Sequence, residues 1–289
     1  MISVYFINHT TAGETSMASD TVKTHPWHVP EPSPWPILGT IAGFVMAIGG
    51  IWYMHEGPIW LLAVGFALLI FTFYGWWRQV IIESNTAGMH SEQTKVGLRY
   101  GFLFFIISEL MFFFAFFWAF FHSSLPLLSK VAVAWPPAGI ELIPADGVPL
   151  LNTLILLTSS VTVTIAHHAL IEDKRSTATK WTFITAILGV VFLFFQAEEY
   201  IVATFKLSDG IYPSTFYLAT GFHGFHVFVG TCFLFVCGFR LIKGHFTPDH
   251  HIGFESAAWY WHFVDVVWIF LYINVYIWGS LPFGHISPA

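Results

Sequence analysis

Residues 100–121 read YGFLFFIISELMFFFAFFWAFF, a run in which 12 of 22 residues are aromatic and the single carboxylate is Glu109. About 20 consecutive apolar residues are enough to cross a bilayer as a helix. Inside hydrocarbon the backbone must satisfy its own hydrogen bonds, which confines a chain to helices or a closed barrel. The alternating pattern of a membrane barrel is absent from this sequence, so helices are expected. A carboxylate near the middle of such a helix costs about 3 kcal/mol. Glu109 is tolerated if it is protonated, if it faces protein or water, or if a partner compensates it.

The rest of the chain repeats the pattern. Hydrophobic residues make up 56% of it and charged residues 10%, against roughly 25% charged in soluble domains. Seven apolar stretches, at 36–54, 59–82, 97–122, 149–171, 181–205, 214–240 and 255–280, are each long enough to span. The expected fold is all-α, a polytopic membrane protein of seven transmembrane helices. It divides into an inside-facing segment 1–35, helices one and two at 36–82, an inner loop at 83–96, and helices three to seven at 97–289. The N-terminus lacks the long apolar core of a signal peptide, so the first span is expected to direct insertion. A net charge of −6 and the absence of a basic patch exclude nucleic acid as a partner. Cys232 and Cys237 stand five residues apart on one stretch and read as small apolar fillers.

Lys and Arg set the orientation. With the N-terminus inside, the inner segments carry Lys23, Arg78, Lys95, Arg99, Lys174, Arg175, Lys180, Arg240 and Lys243, and the outer ones only Lys130 and Lys206. The expectation is therefore N-terminus inside and C-terminus outside. Rhodopsin-type receptors run the opposite way, and no span here contains a lysine for a retinal Schiff base. In the first span, Gly39 and Gly43 form a GxxxG motif, a possible point of close helix approach.

Besides Glu109, the spans contain His167 and His168, Glu198 and Glu199, His223 and His226, and His262 and Asp265. At about 1.5 Å per residue, Glu109, His226 and Asp265 lie at similar central depths. His223 and His226 are i, i+3 on one helix, as are His262 and Asp265, so each pair shares a face. Three readings are open: a metal or haem site built on histidine, a proton relay through Glu109, or polar contacts that fix helix packing. At the inner boundary, Trp76-Trp77-Arg78 and the group Arg240, Lys243 and His245 read either as interfacial anchors or as phosphate-binding positions.

Several blocks carry a family resemblance. They include Trp76-Trp77-Arg78, Gly97-Leu98-Arg99-Tyr100-Gly101, Ser108-Glu109, Ala166-His167-His168, Gly221-Phe222-His223-Gly224 and, most specific, Trp259-Tyr260-Trp261-His262-Phe263-Val264-Asp265-Val266-Val267-Trp268. With further matches they extend from near residue 25 to 280, and through them the chain resembles subunit III of cytochrome c oxidase, of the bacterial or mitochondrial haem–copper type. The resemblance implies two helices set against five in a V-shaped cleft that holds phospholipid. It implies no redox centre in this chain, with haem and copper in partner subunits I and II, and cytochrome c acting on the complex. It also implies packing on subunit I, support of proton uptake there, and protection of the enzyme during turnover. Glu109 matches the family's intramembrane glutamate, and Trp77, Arg78, Glu83, His90, Arg240, Lys243 and His245 match positions at or near its lipid sites. Quinol-oxidase relatives typically have five helices in this subunit, so the two extra N-terminal spans favour the cytochrome c branch. The implied place is a bacterial cytoplasmic membrane or the mitochondrial inner membrane. The alternative is a stand-alone seven-helix transporter with Glu109 and the central histidines as its proton path.

Overall fold

The structure, a computed structural model, describes residues 32–86, 91–125, 135–137 and 139–280. Seven helices are long and apolar enough to cross a membrane, and no strand forms among the described residues. They are α1 (Trp35–Met54), α2 (Trp60–Asn85), α3 (Glu92–Ser124), α4 (Val148–Ile171), α5 (Arg175–Val202), α6 (Ile211–Ile242) and α7 (Ile252–Leu271). The all-helical polytopic fold read from the sequence is the one observed. The chain continues from α7 through a π-helical turn, Tyr272–Ile277, into a short 3-10 turn, Trp278–Ser280.

Several helix starts reach beyond the apolar stretches, while α5 ends at Val202 rather than 205. α3 starts at Glu92 rather than 97, and α5 at Arg175 rather than 181. Hydropathy marks where lipid lies, whereas the backbone ladder runs on until a cap stops it. Two such caps are explicit. α6 ends in a Schellman motif: Gly244 has φ 73°, Gly244 N–H donates to Leu241 O at 3.0 Å, and His245 N–H donates to Arg240 O at 3.0 Å. α4 ends the same way, with Asp173 at φ 57° and Lys174 N–H donating to Ala169 O at 2.8 Å.

The chain falls into two compact units, residues 1–94 and 95–289. In the first, α1 packs along α2. A Cβ added to Gly49 would collide with the backbone of Leu61 and Leu62, so the close approach lies there. At the GxxxG pair, a Cβ on Gly39 would make ordinary contact with Thr72 at 3.6 Å, and one on Gly43 would meet nothing within 4 Å. Trp35 Nε1 donates to Gln79 Oε1 at 2.6 Å, and Gln79 Nε2 donates to Glu83 Oε1 at 3.0 Å.

In the second unit α5 lies between α4 and α6, and α7 packs on both α4 and α6. Its core is built around Trp261, which is fully buried and donates from Nε1 to Ser159 Oγ at 2.8 Å. A Cβ on Gly230 would sit 2.9 Å from the Trp261 ring, and one on Gly189 would meet the ring at 2.6 Å. Two glycines on neighbouring helices thus leave the space that one indole fills. α3 is joined to this core by aromatic side chains: Phe113 meets Phe263, Phe117 meets Phe270, and Phe116 stacks on Phe222.

Candidate functional site

Glu109 on α3 and His226 on α6 meet inside the membrane-spanning region. Their side chains are 22% and 8% exposed, and His226 Nε2 lies 2.8 Å from Glu109 Oε2. The other ring nitrogen, Nδ1, is 2.6 Å from Phe222 O, one turn back on the same helix. A carbonyl oxygen only accepts, so Nδ1 carries a proton. Nε2 then either accepts the proton of a carboxylic acid or donates to a carboxylate. Both arrangements place one proton between the two groups and leave the pair with zero net charge. That removes most of the cost of holding a carboxyl group in hydrocarbon.

Aromatic rings surround the imidazole. Phe113 meets it edge-on at 4.9 Å between centroids, Tyr260 stacks parallel to it at 6.2 Å, and Phe112, Phe225 and Phe263 complete the shell. This shell packs around the ring and keeps it aimed at α3. The location sets an expected result. A hydrophobic carbodiimide will label Glu109, and a water-soluble one will not, as read by mass spectrometry of the peptide containing residue 109. Equal labelling by both reagents would contradict a desolvated carboxyl.

The third group at this depth, Asp265, is directed elsewhere. It is buried on α7 with its Oδ2 3.8 Å from His262 Nδ1, and that nitrogen is 2.8 Å from Ser160 Oγ on α4. His223 sits beside His226 in sequence but is fully buried, with Nε2 donating to Val264 O at 3.2 Å. His223 and His226 therefore take different partners, whereas Asp265 stays beside His262 of its own helix. Among the described residues no three His, Cys, Asp or Glu side chains gather as a metal-ligating set.

Depth alone did not reveal a second buried carboxyl network near the C-terminal end of α5. Glu199 Oε1 accepts from Tyr276 OH at 2.7 Å and from Gln196 Nε2 at 3.0 Å, while the neighbouring Glu198 is exposed. The signal available in the sequence was the Gln196–Glu199 spacing of three. The Tyr276 partner depends on the π-helical turn that follows α7.

At the far end of α6, the Schellman turn gathers Arg240, Lys243 and His245. The Arg240 guanidinium lies 4.2 Å over the Phe246 ring, and Lys243 is exposed. Burial, and then the charges of Arg240 and Lys243, hold the His245 imidazole below the usual histidine range. A lowered folded-state value means that the folded form favours neutral imidazole. Its stabilising contribution is present above the unfolded value of about 6.5 and is lost as pH falls below it. Lys243→Gln will raise the His245 titration midpoint in ring-labelled NMR spectra; an unmoved midpoint would show that the charge of Lys243 is not felt. In the first unit Trp77 and Arg78 are exposed on α2. His90, the remaining residue expected near lipid, lies outside the described residues.

Fold and site together define a class: a seven-helix membrane protein with a carboxyl–imidazole pair inside the bilayer. Residues 25–280 match the family described as cytochrome c oxidase subunit III. Similar proteins include the cytochrome c oxidase subunit 3 of Prototheca wickerhamii, 54% identical over 261 residues that span 90% of this chain and 100% of that protein. That of Marchantia polymorpha is 53% identical over 89% of this chain and 97% of its own length, and that of Nanger dama 52% over 90% and 100%. The chain belongs to the cytochrome c oxidase subunit III family.

Proposed function

We propose that this chain is the non-redox supporting subunit of a proton-pumping terminal oxidase, which passes electrons from cytochrome c to oxygen. In this reading haem and copper reside in partner subunits I and II. This chain packs on subunit I, stabilises it, holds phospholipid, and supports proton uptake. Family membership supports the oxidase assignment. The observation that carries the finer reading is the 2.8 Å Glu109–His226 contact. It is a group that can hold one proton at zero net charge, on a helix with no other carboxylate in its apolar stretch. Detergent-extracted protein is expected to co-migrate with a haem-bearing partner. Protein that runs alone and colourless would favour the stand-alone transporter instead.

Lipid binding is assigned to the basic inner rims, taken unit by unit. Trp77, Arg78, Glu83 and His90 belong to the first unit, and Arg240, Lys243 and His245 to the second. An interfacial Lys or Arg contributes about 1 kcal/mol toward an anionic headgroup. Arg240→Ala will therefore lower co-purified phospholipid severalfold without unfolding the helices. Because Arg240 also packs on Phe246, the exposed Lys243→Ala is the companion variant. Unchanged lipid content in both would contradict the assignment.

A further inference from the structure

Glu199 on α5 is a second carboxyl group buried in this helical unit, and unlike Glu109 it has no imidazole beside it. It is 2% exposed, and no Lys, Arg or His pairs with it among the described residues. The other ionisable groups facing it are phenols: Tyr200 on its own helix, Tyr212 and Tyr217 on α6, and Tyr276 beyond α7. Phenols are uncharged at neutral pH. The preceding residue, Glu198, is exposed. A carboxylate buried without a compensating cation is so costly that the group takes up a proton instead.

The hydrogen bonds say where that proton sits. Glu199 Oε1 accepts from Tyr276 OH at 2.7 Å and from Gln196 Nε2 at 3.0 Å. An oxygen that accepts two bonds is the carbonyl oxygen of an acid, which leaves Oε2 to carry the hydrogen. Oε2 is buried with no partner among the described residues, and so is Gln196 Oε1, an acceptor only. Because Gln196 Nε2 already donates to the carboxyl group, the carboxamide and the carboxyl lie against each other. A single proton on Oε2 gives both orphaned oxygens a partner and closes an amide–acid ring. α4 offers no rival donor. The Thr162 Oγ1 to Thr185 Oγ1 contact at 2.8 Å fixes the register of the antiparallel α4 and α5, and it brings Asn152 level with the turn that holds Gln196. Yet Asn152 Nδ2 has no hydrogen-bond partner, so it does not donate to Oε2.

We propose that Glu199 is a second proton-holding site of this chain, a neutral carboxylic acid that donates from Oε2 to Gln196 Oε1 and is closed over by Tyr276 from the π-helical turn. The site is separate from the Glu109–His226 pair and does not depend on it. A π-helical turn in a helical span often marks such a functional position. Here it sets the Tyr276 hydroxyl on the carboxyl group.

Infrared difference spectroscopy of the intact purified complex at neutral pH tests the assignment. Parent minus Glu199→Gln should show the loss of one carboxylic-acid C=O band and no loss of a carboxylate band. The glutamine amide can donate to Gln196 Oε1 and accept from Tyr276, so this variant is expected to assemble and melt like the parent. Tyr276→Phe removes one hydrogen bond to the acid carbonyl and should move the same band to higher frequency. If Glu199→Gln does not assemble, the Tyr276→Phe shift decides alone. Loss of a carboxylate band in Glu199→Gln, or an acid band that Tyr276→Phe leaves in place, would overturn the proposal and leave the oxidase reading standing.

Discussion

Replacing His226 by leucine will destabilise the five-helix unit by about 2 kcal/mol, and replacing Glu109 by leucine in the same protein will recover most of that loss. The single change leaves a carboxyl group without its partner, 22% exposed within an apolar span. A buried polar group stripped of its partner costs about 1–3 kcal/mol, whereas removing both partners is close to neutral. The aromatic shell of Phe112, Phe113, Tyr260 and Phe263 accommodates an aliphatic side chain in place of the ring. A double-mutant cycle, read by denaturant unfolding in detergent, measures the coupling directly. Additive losses would show that the two side chains do not act as a pair.

Trp261→Ala is expected to be more damaging, at about 3 kcal/mol. Truncation of a buried aromatic side chain in a tight core leaves a cavity that its neighbours do not fill. The indole occupies the space left by Gly189 and Gly230 and donates to Ser159. Its loss empties that space and removes the donor to Ser159 Oγ, which keeps its own bond to Leu156 O. Lipid surroundings remove part of the transfer contribution, so packing supplies most of the effect. In the opposite direction, Gly230→Val should destabilise by about 1–3 kcal/mol through overpacking against the same ring. Thermal unfolding of the purified complex checks both. If Trp261→Ala melts like the parent protein, the ring is not the keystone of this interface.

Hydropathy made the seven helices legible, because each span must be apolar over the bilayer thickness. Their ends were less so. The first turn of α5 runs through Arg175, Ser176 and Thr177, residues that continue a helix in water but lie outside any apolar run. Depth was equally legible: residue counting placed Glu109 and His226 at one height. Which way each side chain points was not, because the rotation of a helix is set by its neighbours. Asp265 shares that height, yet it lies behind His262 beside α4, while Tyr260 and Phe263 of the same helix face His226. The GxxxG motif misdirected for a related reason. Small residues permit close approach wherever the crossing falls, and here it falls at Gly49.

The most direct test of the central claim is Glu109→Gln in the intact oxidase, with turnover and its decay followed together. A glutamine amide at this position can still donate to His226 Nε2 and fills nearly the same volume, but it holds no exchangeable acid proton. A proton-handling role predicts turnover that starts below the parent rate or decays several times faster, with stability unchanged. Identical turnover and identical decay would reduce the Glu109–His226 pair to a packing contact and contradict the account.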